Sequence, residues 1–135
     1  MVILDTSVII DHLRRSVEES VLVKLFERYP SETFALSVIS VQGLYEGMST
    51  KNEKKENYML STVSTLEIVP YTVDIATKAG KIARDLETPI DLADAAIAAT
   101  CIQNDVPLYT LNTKHFRTIP TLIFFQPVDF SEQKR

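Results

Sequence analysis

Apolar residues recur along this chain in two rhythms. Short runs that are apolar nearly throughout alternate with longer stretches in which apolar positions return every three or four residues. Val2-Ile3-Leu4, Phe34-Ala35-Leu36, Leu66-Glu67-Ile68-Val69, Leu108-Tyr109-Thr110-Leu111 and Leu122-Ile123-Phe124-Phe125 read as five strands. The first is apolar on both faces, as a central parallel strand should be. Thr6 or Ser7 is placed to cap a first helix that turns Val8, Ile9, His12 and Leu13 inward and runs to about Arg15. A second helix is predicted over 17–28, with Val21, Leu22, Leu25 and Phe26 inward and Pro30 as its stop. Ser37 or Ser40 caps a third that carries Val41, Leu44, Tyr45 and Met48. A polar stretch over 49–57 marks a helix–helix junction, and Tyr58, Leu60 and Val63 continue a fourth helix. Asp74 starts a fifth, with Ile75, Ala79, Ile82, Ala83 and Leu86 inward and Pro89 ending it. The sixth, over 91–103, is apolar nearly all round and therefore buried, its alanines allowing close approach to the sheet.

Strands alternating with helices predict an α/β fold, a three-layer α/β/α domain on a mainly parallel sheet of four to five strands. We expect one domain over 1–130 and a polar, frayed tail over 131–135. In such sheets the functional crevice lies beyond the carboxyl ends of the strands. Asp5 ends the first strand, Asn112 sits just past the fourth, and the start of the 91–103 helix reaches the same crevice.

Composition narrows the chemistry. The formal net charge is -4, so no broad basic face is available for nucleic acid. A nucleic-acid substrate would have to be held by local basic patches, a metal, or a partner's charge. Cys101 is the only cysteine and lies in an apolar helical run, which fits a small core residue and a reducing compartment. No stretch reaches membrane-span length and no signal peptide is legible, so a soluble cytoplasmic protein is expected.

The acids carry the clearest chemical signal. Asp91 and Asp94 are three residues apart, on one helical face and in a first turn, where the helix dipole favours anions. An ordinary N-cap is the alternative for Asp91, and the enrichment of acids in first turns explains Asp94 alone as well as a site does. Asp5 is harder to dismiss, because a carboxylate that terminates a buried strand needs a partner or a metal. Carboxylates with few nitrogen ligands and no thiolates suit Mg²⁺ or Mn²⁺. Such ions polarise phosphates and activate water, which points to hydrolytic phosphoryl transfer. His12 reads as a packed side chain, and His115 as structural or substrate-facing. Lys114 and Arg117 are placed to meet phosphates at the sheet mouth, although an ordinary solvated loop explains them equally well. There is no Walker-type glycine loop and no GxGxxG.

Four blocks in order carry a family resemblance over nearly the whole chain. They are Leu4-Asp5-Thr6-Ser7-Val8-Ile9-Ile10-Asp11, Leu36-Ser37-Val38-Ile39-Ser40-Val41-Gln42 with Leu44-Tyr45-Glu46-Gly47, Asp91-Leu92-Ala93-Asp94-Ala95-Ala96-Ile97-Ala98-Ala99-Thr100, and Thr110-Leu111-Asn112-Thr113-Lys114-His115-Phe116. Together they resemble a PIN domain of the VapC type, the toxin ribonuclease of a toxin–antitoxin pair. The resemblance implies an Mg²⁺- or Mn²⁺-dependent endoribonuclease acting on single-stranded regions of structured RNA (tRNA, rRNA or mRNA). It also implies inhibition by a cognate antitoxin and a homodimer. Asp5 and Asp94 match the family's first and third metal-site acids, Asp91 an additional acidic position, and Asn112 the fourth polar position. Thr6 or Ser7 would orient metal-bound water or phosphate. Asp11 reads as surface. The family's second acid is a Glu four residues before a Gly, and here Gly43 stands at that position. Glu46, three residues on, is about 60° around the helix, an angle from which it reaches the metal only in part.

Gly43 opens a competing reading, a non-catalytic module that keeps the fold, captures its antitoxin and serves operon repression, with DNA contacted only through the antitoxin. A phosphotransfer protein with Asp5 as nucleophile is disfavoured, because Ser7 stands where a second Asp is wanted. Tyr45, Met48, Tyr58 and Met59 are candidates for interfaces, with core packing as the alternative. An antitoxin would place a basic side chain near the carboxylates, neutralising them.

Overall fold

Four strands form one parallel sheet in the order β3-β2-β1-β4. The structure, a computed structural model, describes residues 1–128; the tail expected over 131–135 lies outside them. The strands are β1 (Val2–Leu4), β2 (Phe34–Ser37), β3 (Glu67–Val69) and β4 (Leu108–Tyr109). The helices are α1 (Thr6–Arg14), α2 (Val21–Arg28), α3 (Val38–Glu46), α4 (Glu53–Val63), α5 (Val73–Asp85) and α6 (Leu92–Asn104).

Strand alternation divides the core between two faces. Ile3 and Ala35 point to the side covered by α5 and α6, where Ala95, Ala98, Ala99 and Phe116 close the layer. Val2, Leu4, Phe34 and Leu36 point to the other, where Val8, Ile9, Leu22, Leu25, Leu44 and Met59 pack. This is the three-layer arrangement that the pattern of strands and helices predicts. The chain builds β1, β2 and β3 outward in one direction and then crosses to place β4 on the far side of β1. The order reverses between β1 and β4, and a crevice opens at such a switch point beyond the carboxyl ends of the strands.

Local chemistry shifts some boundaries. Asp5, rather than Thr6 or Ser7, caps α1, its carboxylate accepting from the Thr6 N–H. Ser37 caps α3, while Ser40 is buried inside it. The second helix starts at Val21, four residues later than the apolar pattern indicates. The Ser20 hydroxyl caps it by accepting from Val23 N–H and also meets His12 Nδ1 at 2.7 Å, while Val17 stays exposed in the turn. Asn52 caps α4, so the junction over 49–57 already contains that helix's first turn; Met59 and Thr62 face inward, and Leu60 is exposed. Thr72 caps α5, and the helix ends at Asp85, well short of Pro89, leaving Ala83 at the surface. The expected fifth strand is reduced to one parallel bridge, Leu108 to Phe124. Of the proposed interface residues, Tyr45, Met48 and Tyr58 are exposed, but Met59 is 2% exposed and belongs to the core. Among the described residues no helix is long and apolar enough to cross a membrane.

Ala98 and Ala99 are fully buried against the sheet, so added volume there has nowhere to go. Ala98→Leu should lower unfolding free energy by about 1–3 kcal/mol, as overpacking does, measured by urea denaturation.

Candidate active site at the mouth of the sheet

The site is built around Asp5. Apolar β1 carries it to the switch point, and the ladder continues one step past the strand, with Asp5 N–H donating to Tyr109 O at 2.9 Å. Because Leu4 pairs with Tyr109, the next residue of the β4 segment, Thr110, comes beside Asp5. Asp5 is 4% exposed, and a charge so buried must be solvated by the protein. Oδ1 accepts from Thr6 N–H at 2.9 Å. Oδ2 accepts from the Ser7 hydroxyl at 2.8 Å and from the Thr110 hydroxyl at 2.8 Å. Each hydroxyl in turn accepts a backbone amide from the loop after β4: Leu111 N–H to Ser7 Oγ at 3.2 Å, and Asn112 N–H to Thr110 Oγ1 at 2.9 Å. Two N–H to O–H to carboxylate relays therefore converge on one oxygen of Asp5.

Asp94 lies in the first turn of α6, its side chain 19% exposed. Burial, then the charge of Asp5, raises its carboxyl above the usual range; His115 opposes this and Asp91 adds to it. His115 Nδ1 stands 3.6 Å from Asp94 Oδ2. Asp91 occupies the N-cap position, yet its carboxylate makes no capping hydrogen bond. Asp91, Asp94, Lys114 and His115 line one cleft of about 430 Å³. Asn112 precedes the 3₁₀ turn Thr113–His115, with its amide side chain likewise unspent on capping.

The remaining sequence-nominated residues sit differently. Thr6 directs its hydroxyl to Ser40 at 2.8 Å, tying α1 to α3. Ser7 orients Asp5 instead of projecting a free hydroxyl. Glu46 is exposed and accepts from the Gln42 amide at 3.2 Å. Among the described residues no three His, Cys, Asp or Glu side chains converge as a metal-holding group. Gly43 is helical with an ordinary φ, and a Cβ built there meets nothing within 4 Å. Cys101 is fully buried, and burial pushes its thiol up to about 12, which keeps it inert. Thr110 is the contributor that residue types alone do not reveal. Its signal is positional: a hydroxyl directly past β4, in the parallel register opposite Asp5.

The pair Asp5 and Asp94 fits a hydrated divalent cation. Mg²⁺ typically takes one or two carboxylates and completes its shell with waters and substrate phosphate. The strain that each charge places on the other is what such an ion would relieve.

A family model described as PIN domain matches residues 2–121. The chain is 36% identical over 120 residues to Ribonuclease VapC10 of Mycobacterium tuberculosis, covering 86% of this chain and 86% of that protein. It is similar in fold to a chain of DNA-bound VapBC from Salmonella typhimurium, with TM-score 0.81, 23% identity and coverage of 92% and 96% of the two chains. A toxin–antitoxin complex from Klebsiella pneumoniae contains a chain that matches with TM-score 0.71 and 25% identity, covering 91% of this chain and 96% of that one.

Two outcomes are expected. Thr110→Val leaves a buried carboxylate short of one donor and the Asn112 amide without its acceptor; it should cost about 1–3 kcal/mol in denaturant titration, with Thr110→Ser close to the parent. Asp94 carries a raised pKa in the fold, so its stabilising contribution is present below the ordinary carboxylate range and is lost as pH rises through the raised value. In EDTA near neutral pH, Asp94→Asn should therefore melt higher than the parent, and Mn²⁺ should raise the Tm of the parent but not of the variant.

Proposed function

The chain belongs to the PIN-domain family, in its VapC-type branch, and on that footing we propose that it is the toxin of a toxin–antitoxin module, an endoribonuclease that depends on Mg²⁺ or Mn²⁺. The observation that carries the reading is the buried Asp5 carboxylate held next to Asp94 at the sheet's switch point, where like charges are set to share a cation. Asp5 and Asp94 would hold the ion, with Asn112 and Asp91 at its margin. When bound there, the ion would polarise a phosphodiester and lower the pKa of water. The chain's own groups do the positioning. Ser7 and Thr110 fix Asp5, leaving Oδ1 with a single amide donor. His115 faces Asp94, and Lys114 offers a cation to the RNA.

Gly43 sets the level of activity. The second metal-site acid of the family pattern is missing, and with only two carboxylates in reach both ion affinity and water activation fall. The partner is a cognate antitoxin, as the match to a toxin–antitoxin complex supports. A basic antitoxin side chain at the acids would neutralise them and displace the ion. DNA is met only through the antitoxin, since a net charge of -4 gives this chain no basic face for it. Exposed Tyr45, Met48 and Tyr58 suit a homodimer surface, and the protein acts in the cytoplasm. The same Gly43 favours a second reading, a non-catalytic PIN module that retains antitoxin capture and operon autoregulation.

The two readings separate in a cleavage assay on total RNA and a tRNA pool. Gly43→Glu should fold at least as well as the parent, since the site is open and glycine costs a helix up to about 1 kcal/mol. It should cleave at least about 10–100-fold faster with Mn²⁺, the range expected even for disturbing an outer-shell partner, and EDTA should stop it. Equal cutting by both proteins would show that another group completes the site. No cutting by either favours the non-catalytic module.

A further inference from the structure

The cleft beside the acid pair also carries basic side chains. Lys114 and Arg117 line it together with Asp91 and Asp94, and Thr88 and Thr118 add hydroxyl-bearing side chains to the same lining. We propose that Lys114 and Arg117 form a phosphate subsite that grips the RNA backbone beside the scissile bond, an inference that rests on the ribonuclease reading above.

Three observations support it. The cations are presented from an anchored segment. Phe116 is fully buried and Ile119 nearly so, both in the cluster that α6 closes. The turn is pinned by His115 N–H to Asn112 O, Phe116 N–H to Thr113 O and Ile119 N–H to Phe116 O, each at 3.0 Å. With Phe116 and Ile119 inward, Lys114 and Arg117 face the cleft from a turn that holds its shape. Neither cation is committed elsewhere. Arg15 and Arg84 are each paired with an aspartate, whereas among the described residues Lys114 and Arg117 join no ion pair. Finally, the chain is a net anion and repels a polyanion at long range, so an RNA strand needs cations local to the acids. A guanidinium fork and an ammonium a turn away suit phosphate oxygens.

The test separates backbone binding from cleavage. Binding of a fluorescein-labelled oligouridylate is followed by anisotropy in EDTA over a range of salt concentrations. The proteins are the full chain, Lys114→Ala, Arg117→Ala, the double variant, and a control lacking two α5 lysines (Lys78→Ala with Lys81→Ala). Each lost phosphate contact should reduce the slope of log K against log salt by about 0.7, the single-strand value. The double variant should fall by about 1.4 and the control by nothing, with unchanged thermal melting in all. Arg117→Lys should keep the slope. An unchanged slope in the double variant, an equal fall in the control, or no binding by the parent overturns the subsite. So does a loss confined to capture of the antitoxin. Because no metal is present, a slope change stands even if no variant ever cleaves RNA, and that combination would fault the nuclease reading instead.

Discussion

A carboxylate sealed at the end of an apolar strand governs the rest of this molecule. Burying a lone charge is expensive, and the protein meets the cost with one amide and two hydroxyls on Asp5. Those donors come from the start of α1 and from the segment after β4, so the charge binds together pieces that are 105 residues apart in sequence. The parallel pairing of β1 with β4 is what allows it, and the crossover that places β4 beside β1 is what creates the crevice. The loop that bears Asn112 takes its shape from the same carboxylate, through the amides that Ser7 and Thr110 accept. Fold and site are thus one hydrogen-bonded unit at this end of the sheet.

Charge balance follows from that arrangement. Burial first, and then the field of Asp5, raises the Asp94 carboxyl, and His115 at 3.6 Å opposes this. A structure selected for stability alone would replace one acid. Keeping both makes sense if a cation completes them, and Lys114 and Arg117 line the cleft that Asp94 also lines. Gly43 cuts against this design. The helix has no conformational need for glycine there, and the space a longer side chain would use is open.

How much of this was legible in the sequence depends on the range of the interaction. β1 and β2, and the α5 and α6 cores around Ile75, Ala79, Ile82 and the alanine run, follow from local apolar rhythm. Asp5 stood out because a charge at the end of a buried strand is conspicuous. Starts and ends were missed where a polar side chain chose them: Ser20 delays α2 because its hydroxyl also serves His12. The expected fifth strand meets the sheet through Leu108 alone, as one parallel bridge to Phe124. Thr110 was hidden, since nothing about a threonine in a strand announces a partner that only the parallel register brings near. Met59, six residues into α4, left interface and core packing both open in sequence, and its burial among Val8, Ile9 and Leu44 decides for the core. Helical geometry brings Glu46 only part of the way to the acids, and its side chain pairs with Gln42 on the exposed face.

The most direct test of the central claim is a carboxyl-carbon NMR titration of the aspartates with and without saturating Mg²⁺. In EDTA, Asp94 should titrate above the ordinary carboxylate range. With Mg²⁺ its midpoint should fall, as a shared cation replaces repulsion from Asp5 by attraction. An ordinary midpoint in EDTA, or one that Mg²⁺ leaves in place, would contradict an acid pair built to hold a divalent ion.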